Sequence, residues 1–289
     1  MKKQRSAAPG LTRREFGIAA AALALSGCAE KTPPAPVDLA VYGDCRQYAK
    51  IHRQIAASIA TRNPKAVVVA GDLVNRPEDQ KQWDLFKKIT GIYSGKVPML
   101  PLVGNHDVHP TDGNKAFLRE TGLAKSWYDR QIGDFHFFVL DSINSFQDDR
   151  EQLDWLQKTA EASTAKHKFA AFHHPPFIID PKRLQEAPMV LKNLHPLLVK
   201  MKFCAGLCGH QHAFYYTRRD GIPYVVTGGG GAALGDLEPS LGIKGDLSRS
   251  FYHFVGLKVV GPKIEGHVYE PDGDEVAELA FPVCDHASG

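Results

Sequence analysis

The sequence predicts an α/β fold with two packed β-sheets and helices on their outsides. Three observations carry that reading. In the first half, apolar runs of strand length alternate with helical periodicity in a βαβαβ order. Beyond residue 203, strands follow one another with hairpin turns between them. Five strand-like runs end in clusters of carboxylate, amide or imidazole groups, as expected where strand ends converge on one cleft.

Each element has its own signal. Residues 39–42 form a first apolar strand. Residues 48–61 place Ile51, Ile55 and Ile59 at helical spacing, and Asn63-Pro64 ends that helix. Residues 66–70 contain three consecutive valines and read as a strand buried on both faces. Residues 78–90 set Trp83, Phe86 and Ile89 on one side of a helix. Residues 99–103 are a third strand, followed by a polar loop and a short helix over 114–121. Residues 127–131 and 135–141 pair around Gly133-Asp134. Residues 150–162 form a helix with Leu153 and Leu156 inward. A strand over 168–172, a helix over 189–200 and a strand over 203–208 follow. Residues 214–219 and 224–227 flank the turn Asp220-Gly221. The run from Gly228 to Gly231 opens an irregular stretch reaching residue 250 and reads as a flexible cleft edge, a lid. The last strands are 251–260, 263–269 and 276–281.

Composition supports one large globular domain over residues 38–289, since 43% of the 289 residues are hydrophobic. With 35 lysines and arginines against 32 acids the net charge is +3, so no nucleic-acid partner is indicated. The N-terminus reads as an address. Thr12-Arg13-Arg14-Glu15-Phe16 is a twin-arginine pattern, and the apolar run after it is too short for the ~20 residues of a membrane-spanning helix. Leu25-Ser26-Gly27-Cys28 resembles a bacterial lipobox. Residues 1–27 are therefore expected to be a twin-arginine (Tat) lipoprotein signal peptide, with the Tat export machinery as a partner. Cys28 would carry the lipid, and residues 28–37 would form a stiff proline-rich tether. The protein is thus expected on a membrane, facing the periplasm or the cell surface. The even number of remaining cysteines (Cys45, Cys204, Cys208 and Cys284) invites a disulfide. Cys204 and Cys208 share one apparent strand, however, where four residues span ~13 Å, too far for a bridge. They read as small buried apolar thiols.

The polar clusters are Gly43-Asp44-Cys45-Arg46, Gly71-Asp72-Leu73-Val74-Asn75, Gly104-Asn105-His106-Asp107, His173-His174-Pro175 and Gly209-His210-Gln211-His212. A lone His at a strand end is usually a hydrogen-bonded structural residue, and a lone Gly-Asp is usually a turn. Five such clusters in order, built from the residue types that bind divalent metals, are a different matter. Together they resemble the calcineurin-like metallophosphoesterases, the group that includes the purple acid phosphatases. The likeness covers the chain beyond residue 37. It implies a four-layer αββα sandwich of two mixed β-sheets flanked by helices. It also implies two metal ions (Fe, Mn or Zn) about 3.5 Å apart, which hydrolyse phosphate mono- or diesters through a metal-bridging hydroxide. By position, Asp72 would bridge both ions, Asp44 and His212 would complete the first site, and Asn105, His173 and His210 the second. His106 would donate a proton to the leaving oxygen, with Asp107 orienting its ring.

Two departures stand out. The family's first motif is Asp-x-His, whereas this chain has Asp44-Cys45-Arg46, and arginine has no lone pair for a metal. Arg46 would either grip phosphate oxygens with its forked donors or pair with Asp44 and replace metal charge. Purple acid phosphatases also carry a metal-binding tyrosine three residues after the bridging aspartate. Here that position is Asn75, a weak ligand or a loop residue, so the charge-transfer colour should be absent. The sequence reading is a membrane-tethered metal-dependent phosphoesterase. Its rivals are a non-hydrolytic or single-metal relative that binds a phosphorylated ligand, and a scaffold with a structural metal. The scaffold is disfavoured because structural zinc sites are closed by four ligands and favour Cys.

Overall fold

The computed structural model describes residues 34–143, 146 and 150–285. The expected signal peptide and residues 28–33 of the tether lie outside the described residues.

In chain order the elements begin with β1 (Leu39–Tyr42), α1 (Ala49–Arg62), β2 (Ala66–Val69), α2 (Gln80–Ser94), β3 (Met99–Pro101) and α3 (Lys115–Thr121). Next come β4 (Tyr128–Ile132), β5 (Phe135–Val139), α4 (Arg150–Ala162), β6 (His167–Ala171), α5 (Ala187–Asn193), α6 (His195–Lys200) and β7 (Ala205–Cys208). The last are β8 (Phe214–Arg219), β9 (Ile222–Thr227), β10 (Leu247–Arg249), β11 (Phe254–Val260), β12 (Lys263–Tyr269) and β13 (Phe281–Asp285). One sheet has the order β13-β12-β11-β1-β2-β3, the other β10-β8-β9-β7-β6-β5-β4. Both are mixed. β1, β2 and β3 are parallel, as are β5, β6, β7 and β9, and antiparallel strands complete each sheet.

The valine run shows how the layers form. Val68 points between the sheets, where it joins Val41, Leu100, Phe137, Phe169 and Leu207 in the central core. Val67 and Val69 point the other way, onto Ile55 and Ile59 of α1 and Trp83 and Phe86 of α2. Phe138, Ala170 and Phe172 do the same for the second sheet, against Leu156 of α4, Val190 of α5 and Leu198 of α6. The result is the four-layer αββα sandwich, with strands buried on both faces.

Three elements differ from expectation. The single helix over 189–200 is two, α5 and α6, meeting at Leu194. Pro196 has no N–H for the carbonyl four residues back, and it sits comfortably in the first turn of a new helix. The final strand is 281–285, not 276–281. Val276 and Leu279 are buried three residues apart, which suits the tight turn at Ala277–Leu279 rather than the alternation of a strand. Finally, β10 emerges from the stretch expected to be irregular, pairing Ser248 with Tyr215.

Candidate metal centre

The five polar clusters meet at one end of the sandwich, beyond the C-terminal ends of β1, β2, β3, β6 and β7. Local backbone geometry aims them there. Asp44, Asp72 and His210 each follow a glycine and adopt left-handed φ values of 58°, 55° and 69°. These cost energy for a residue with a Cβ, and they turn each side chain back over its strand end. Gly104 and Gly209 allow the loops to close up. A Cβ on Gly104 would lie 2.2 Å from the Asp72 nitrogen, and one on Gly209 would lie 2.7 Å from Asp44 Oδ2.

Four donor atoms converge on one point. His173 Nε2 lies 3.2 Å from Asn105 Oδ1 and 3.4 Å from Asp72 Oδ1. His210 Nδ1 lies 3.1 Å from Asn105 Oδ1 and 3.3 Å from His173 Nε2. Ligands around an ion with bonds of about 2.1 Å are separated by roughly 3.0–3.4 Å, so these four fit one metal. The tautomers agree with that use. His173 Nδ1 donates to Ala70 O at 2.8 Å, which leaves the Nε2 lone pair facing the cluster. His210 Nε2 meets the carboxylate of Glu186, with Arg183 Nη1 3.3 Å from Nδ1 on the same side. Burial, then the neighbouring His173 and Arg183, lowers the His210 pKa to about 2, so its ring is neutral. Burial alone would raise the Asp72 pKa, but His173, His106 and Arg46 outweigh it and hold the group at about 2.

The first position is different, because Arg46 already stands in it. Its Nε donates to Asp72 Oδ2 at 3.0 Å, its Nη1 donates to Asn75 Oδ1 at 2.8 Å, and its Nη2 lies 3.4 Å from His212 Nε2. Arginine's partner is thus Asp72, not Asp44, and the guanidinium contacts two of the three groups expected to hold the first ion. His212 Nδ1 donates to Ala233 O at 2.7 Å, and its Nε2 lies 3.3 Å from Asp44 Oδ1. Burial disfavours charge on His212, but the hydrogen bond and charge of Asp44 win, and its pKa is raised. Asp44 Oδ1, 3.3 Å from His212 Nε2, is buried without a well-aligned hydrogen bond. The four-donor point fits an ion, and Asp44, Asp72 and His173 also bring ligand atoms within 4.8 Å of one another, with Arg46 against Asp72 and His212.

His106 is half-buried beside this centre. Its backbone nitrogen donates to Asp72 Oδ1 at 2.9 Å, and its ring Nδ1 lies 3.3 Å from Asn75 O. The expected partnership with Asp107 is corrected by the structure. Asp107 Oδ1 accepts from the nitrogens of Leu73 and Val74 at 2.9 and 3.1 Å, and Oδ2 from that of Gly104 at 2.8 Å. Both oxygens are consumed in tying two loops together, so Asn75 O orients the His106 ring instead. The glycine run is corrected too. Gly228 to Gly231 are buried, Gly230 N donates to Gly43 O, and a Cβ on Gly228 would lie 2.9 Å from Asp44 Oδ2. It is a packed support for Asp44, not a lid.

The motifs did not reveal Glu186 and Arg183. They lie over His210 because Gln211 Oε1 accepts from the nitrogens of Ile179 and Asp180, at 2.8 and 3.0 Å. That clamp carries the following segment across the centre, where Arg183 Nη1 lies 2.8 Å from His210 Nε2. A cavity of about 360 Å³ opens there, lined by Lys182, Arg183, Glu186 and His212. His174 packs against His210 and is held by Ser142 Oγ at 3.0 Å. One of its ring nitrogens lies within 4.8 Å of ligand atoms of His173 and His210, so it stands at the edge of the same cluster.

A family model described as calcineurin-like phosphoesterase matches residues 38–214. Purple acid phosphatase 15 of Arabidopsis thaliana is 25% identical over 174 residues, 53% of this chain and 33% of that protein. Tartrate-resistant acid phosphatase type 5 of Homo sapiens is 30% identical over 168 residues, 47% of this chain and 50% of that protein. The chain thus covers between 33% and 50% of the length of these curated relatives. Among solved structures, the purple acid phosphatase PPD1 from yellow lupin (Lupinus luteus) seeds shares the fold, with a TM-score of 0.76 at 18% identity, covering 89% of this chain and 55% of that one. Because the family model spans every converging side chain from Asp44 to His212, the chain belongs to the calcineurin-like phosphoesterase family.

Proposed function

We propose that this protein is a metal-dependent phosphoesterase that works with one metal ion, with the Arg46 guanidinium as a fixed cation in the place of a second. The observation that carries this reading is the convergence of Asp72, Asn105, His173 and His210 on one point while Arg46 holds Asp72 Oδ2. When bound there, the ion supplies Lewis-acid charge at the phosphoryl group. The residues supply the rest. Arg46 keeps positive charge beside the phosphoryl oxygens without needing a metal. Lys182 and Arg183 line the cavity beside the centre, paired with Asp236 and Asp180. His106 Nδ1–H is held by Asn75 O, so Nε2 is the nitrogen left for proton transfer, and it gives a proton to the leaving oxygen only when the ring is doubly protonated.

The order of twin-arginine pattern, apolar run and lipobox supports export by the twin-arginine route and a lipid anchor at Cys28. Metal content and activity together test the catalytic reading. Wild type should hold one catalytic metal per chain and hydrolyse aryl phosphate mono- or diesters with added Mn, Fe, Zn or Mg. Arg46→His should bind one more ion. Hydrolysis with two catalytic ions in the wild type would restore the binuclear reading. A metal-loaded protein that hydrolyses neither ester class would be a phosphate-ligand-binding relative.

A further inference from the structure

The end of the sandwich remote from this centre holds another group of metal-binding side chains. His167 is the first residue of β6, and Cys204 immediately precedes β7. Both sit at the N-terminal ends of strands whose C-terminal ends deliver His173 and His210. Cys284 comes from β13, the edge strand of the opposite sheet. The three donor atoms all lie within 4.8 Å of one another, and Cys204 Sγ is 4.0 Å from His167 Nδ1. We propose that His167, Cys204 and Cys284 form a second, structural metal site that takes zinc and ties the last strand of one sheet to the middle of the other.

The donor set suits the ion. One imidazole nitrogen and two thiolates are ligands for a borderline-soft tetrahedral cation, not for magnesium or calcium. With bonds of about 2.3 Å to sulfur and 2.0–2.1 Å to nitrogen, neighbouring ligand atoms sit roughly 3.5–3.8 Å apart. The three donors need to close by about an ångström or less, which small rotations of cysteine side chains supply. The His167 ring is already fixed by stacking on Phe135, with centroids 5.4 Å apart. His167 and Cys204 are buried, and Cys284 is half-buried, so an ion can enter on its side and keep a fourth ligand there. Binding would displace two thiol protons to solvent and leave an electrically neutral unit in an apolar surround. Thiols that served only as apolar filler would not need an imidazole beside them in the same core.

Cobalt(II) is the probe, because a thiolate-to-cobalt charge-transfer band reports sulfur ligands alone. The catalytic ligands Asp72, Asn105, His173 and His210 include no sulfur, so the two sites are read separately. The expected result is a thiolate band saturating at one cobalt per chain in wild type and in Asp72→Asn. The band should be lost in Cys284→Ser and in Cys204→Ser, while the catalytic metal and activity of Cys284→Ser persist. Zinc should raise the melting temperature of wild type more than that of Cys284→Ser, which keeps only the catalytic site. A folded wild type without the band would overturn the proposal. So would a band that survives Cys284→Ser, or a thiol count showing Cys204 and Cys284 joined as a disulfide.

Discussion

At the scale of the residue, His106, the proposed proton donor, can be tested apart from Asp72, the proposed ligand beside it. Its main chain, not its ring, contacts Asp72, through the N–H donated to Oδ1. His106→Ala therefore keeps that hydrogen bond and should keep the metal. The loss should fall on proton transfer, about 10²–10⁴-fold in kcat for an alkyl leaving group and much less for an aryl group that departs without a proton. Equal losses on both substrates, measured at matched metal content, would remove His106 from the donor role. The same scale shows what the chain discloses by inspection. Ligand types and their strand-end positions could be read directly, because a metal site needs a few particular side chains. Where a carboxylate points could not. Asp107 adjoins His106 in sequence, yet three backbone N–H groups from two loops claim its oxygens. Arg46 was legible as an anomaly, but its partner was not, since Asp44 and Asp72 differ only in how their loops turn. Glu186 reaches His210 through the Gln211 clamp, a pairing across 32 residues with no local pattern.

At the scale of the element, strands with runs of β-branched residues were readable because both of their faces are buried. The misread elements were decided by a single backbone feature or by tertiary pairing. Pro196 divides a helix that periodicity alone makes continuous. β10 is polar, and it is a strand only because β8 offers it an edge. The packing of α1 on β1 also buries a titratable ring. His52 Nε2 is hydrogen-bonded to the Tyr42 hydroxyl at 3.0 Å, and that hydroxyl meets Tyr93 at 2.8 Å. Burial, with a smaller contribution from Arg53, lowers the His52 pKa from 6.5 to about 3. The unfolded chain thus binds a proton near pH 6.5 that the folded chain refuses until about pH 3. Stability from this group is full above the unfolded value and is lost as pH falls through that window. Between pH 6.5 and 5 the loss should be roughly 1–2 kcal/mol. Urea unfolding at both pH values should show a smaller drop for His52→Gln than for wild type. An identical drop in the two proteins would mean that His52 is not the acid-sensitive group.

At the scale of the whole molecule, the two ends of the sandwich hold different groups of side chains. The catalytic ligands gather beyond the C-terminal end of β1. The chain enters the fold at the other end of that strand, where Val37 is buried against the Gly256 position after the exposed residues 34–36. Tension on the N-terminus therefore acts away from the cleft, and every ligand from Asp44 to His212 lies downstream of it. Among the described residues no helix is long and apolar enough to cross a membrane. In the proposed anchoring at Cys28, two or three acyl chains would hold the protein stably and one chain only marginally. Cys28→Ser should move the protein from the membrane to the soluble fraction with its specific activity unchanged, because every proposed catalytic group belongs to the domain beyond residue 37. Arg13→Lys combined with Arg14→Lys should instead leave it on the cytoplasmic side, folded and able to bind metal but not exported. Fractionation with a hydrolysis assay on each fraction separates these outcomes. A Cys28→Ser protein that stays with washed membranes would rule out the lipid as anchor and direct attention to a binding surface on the folded domain.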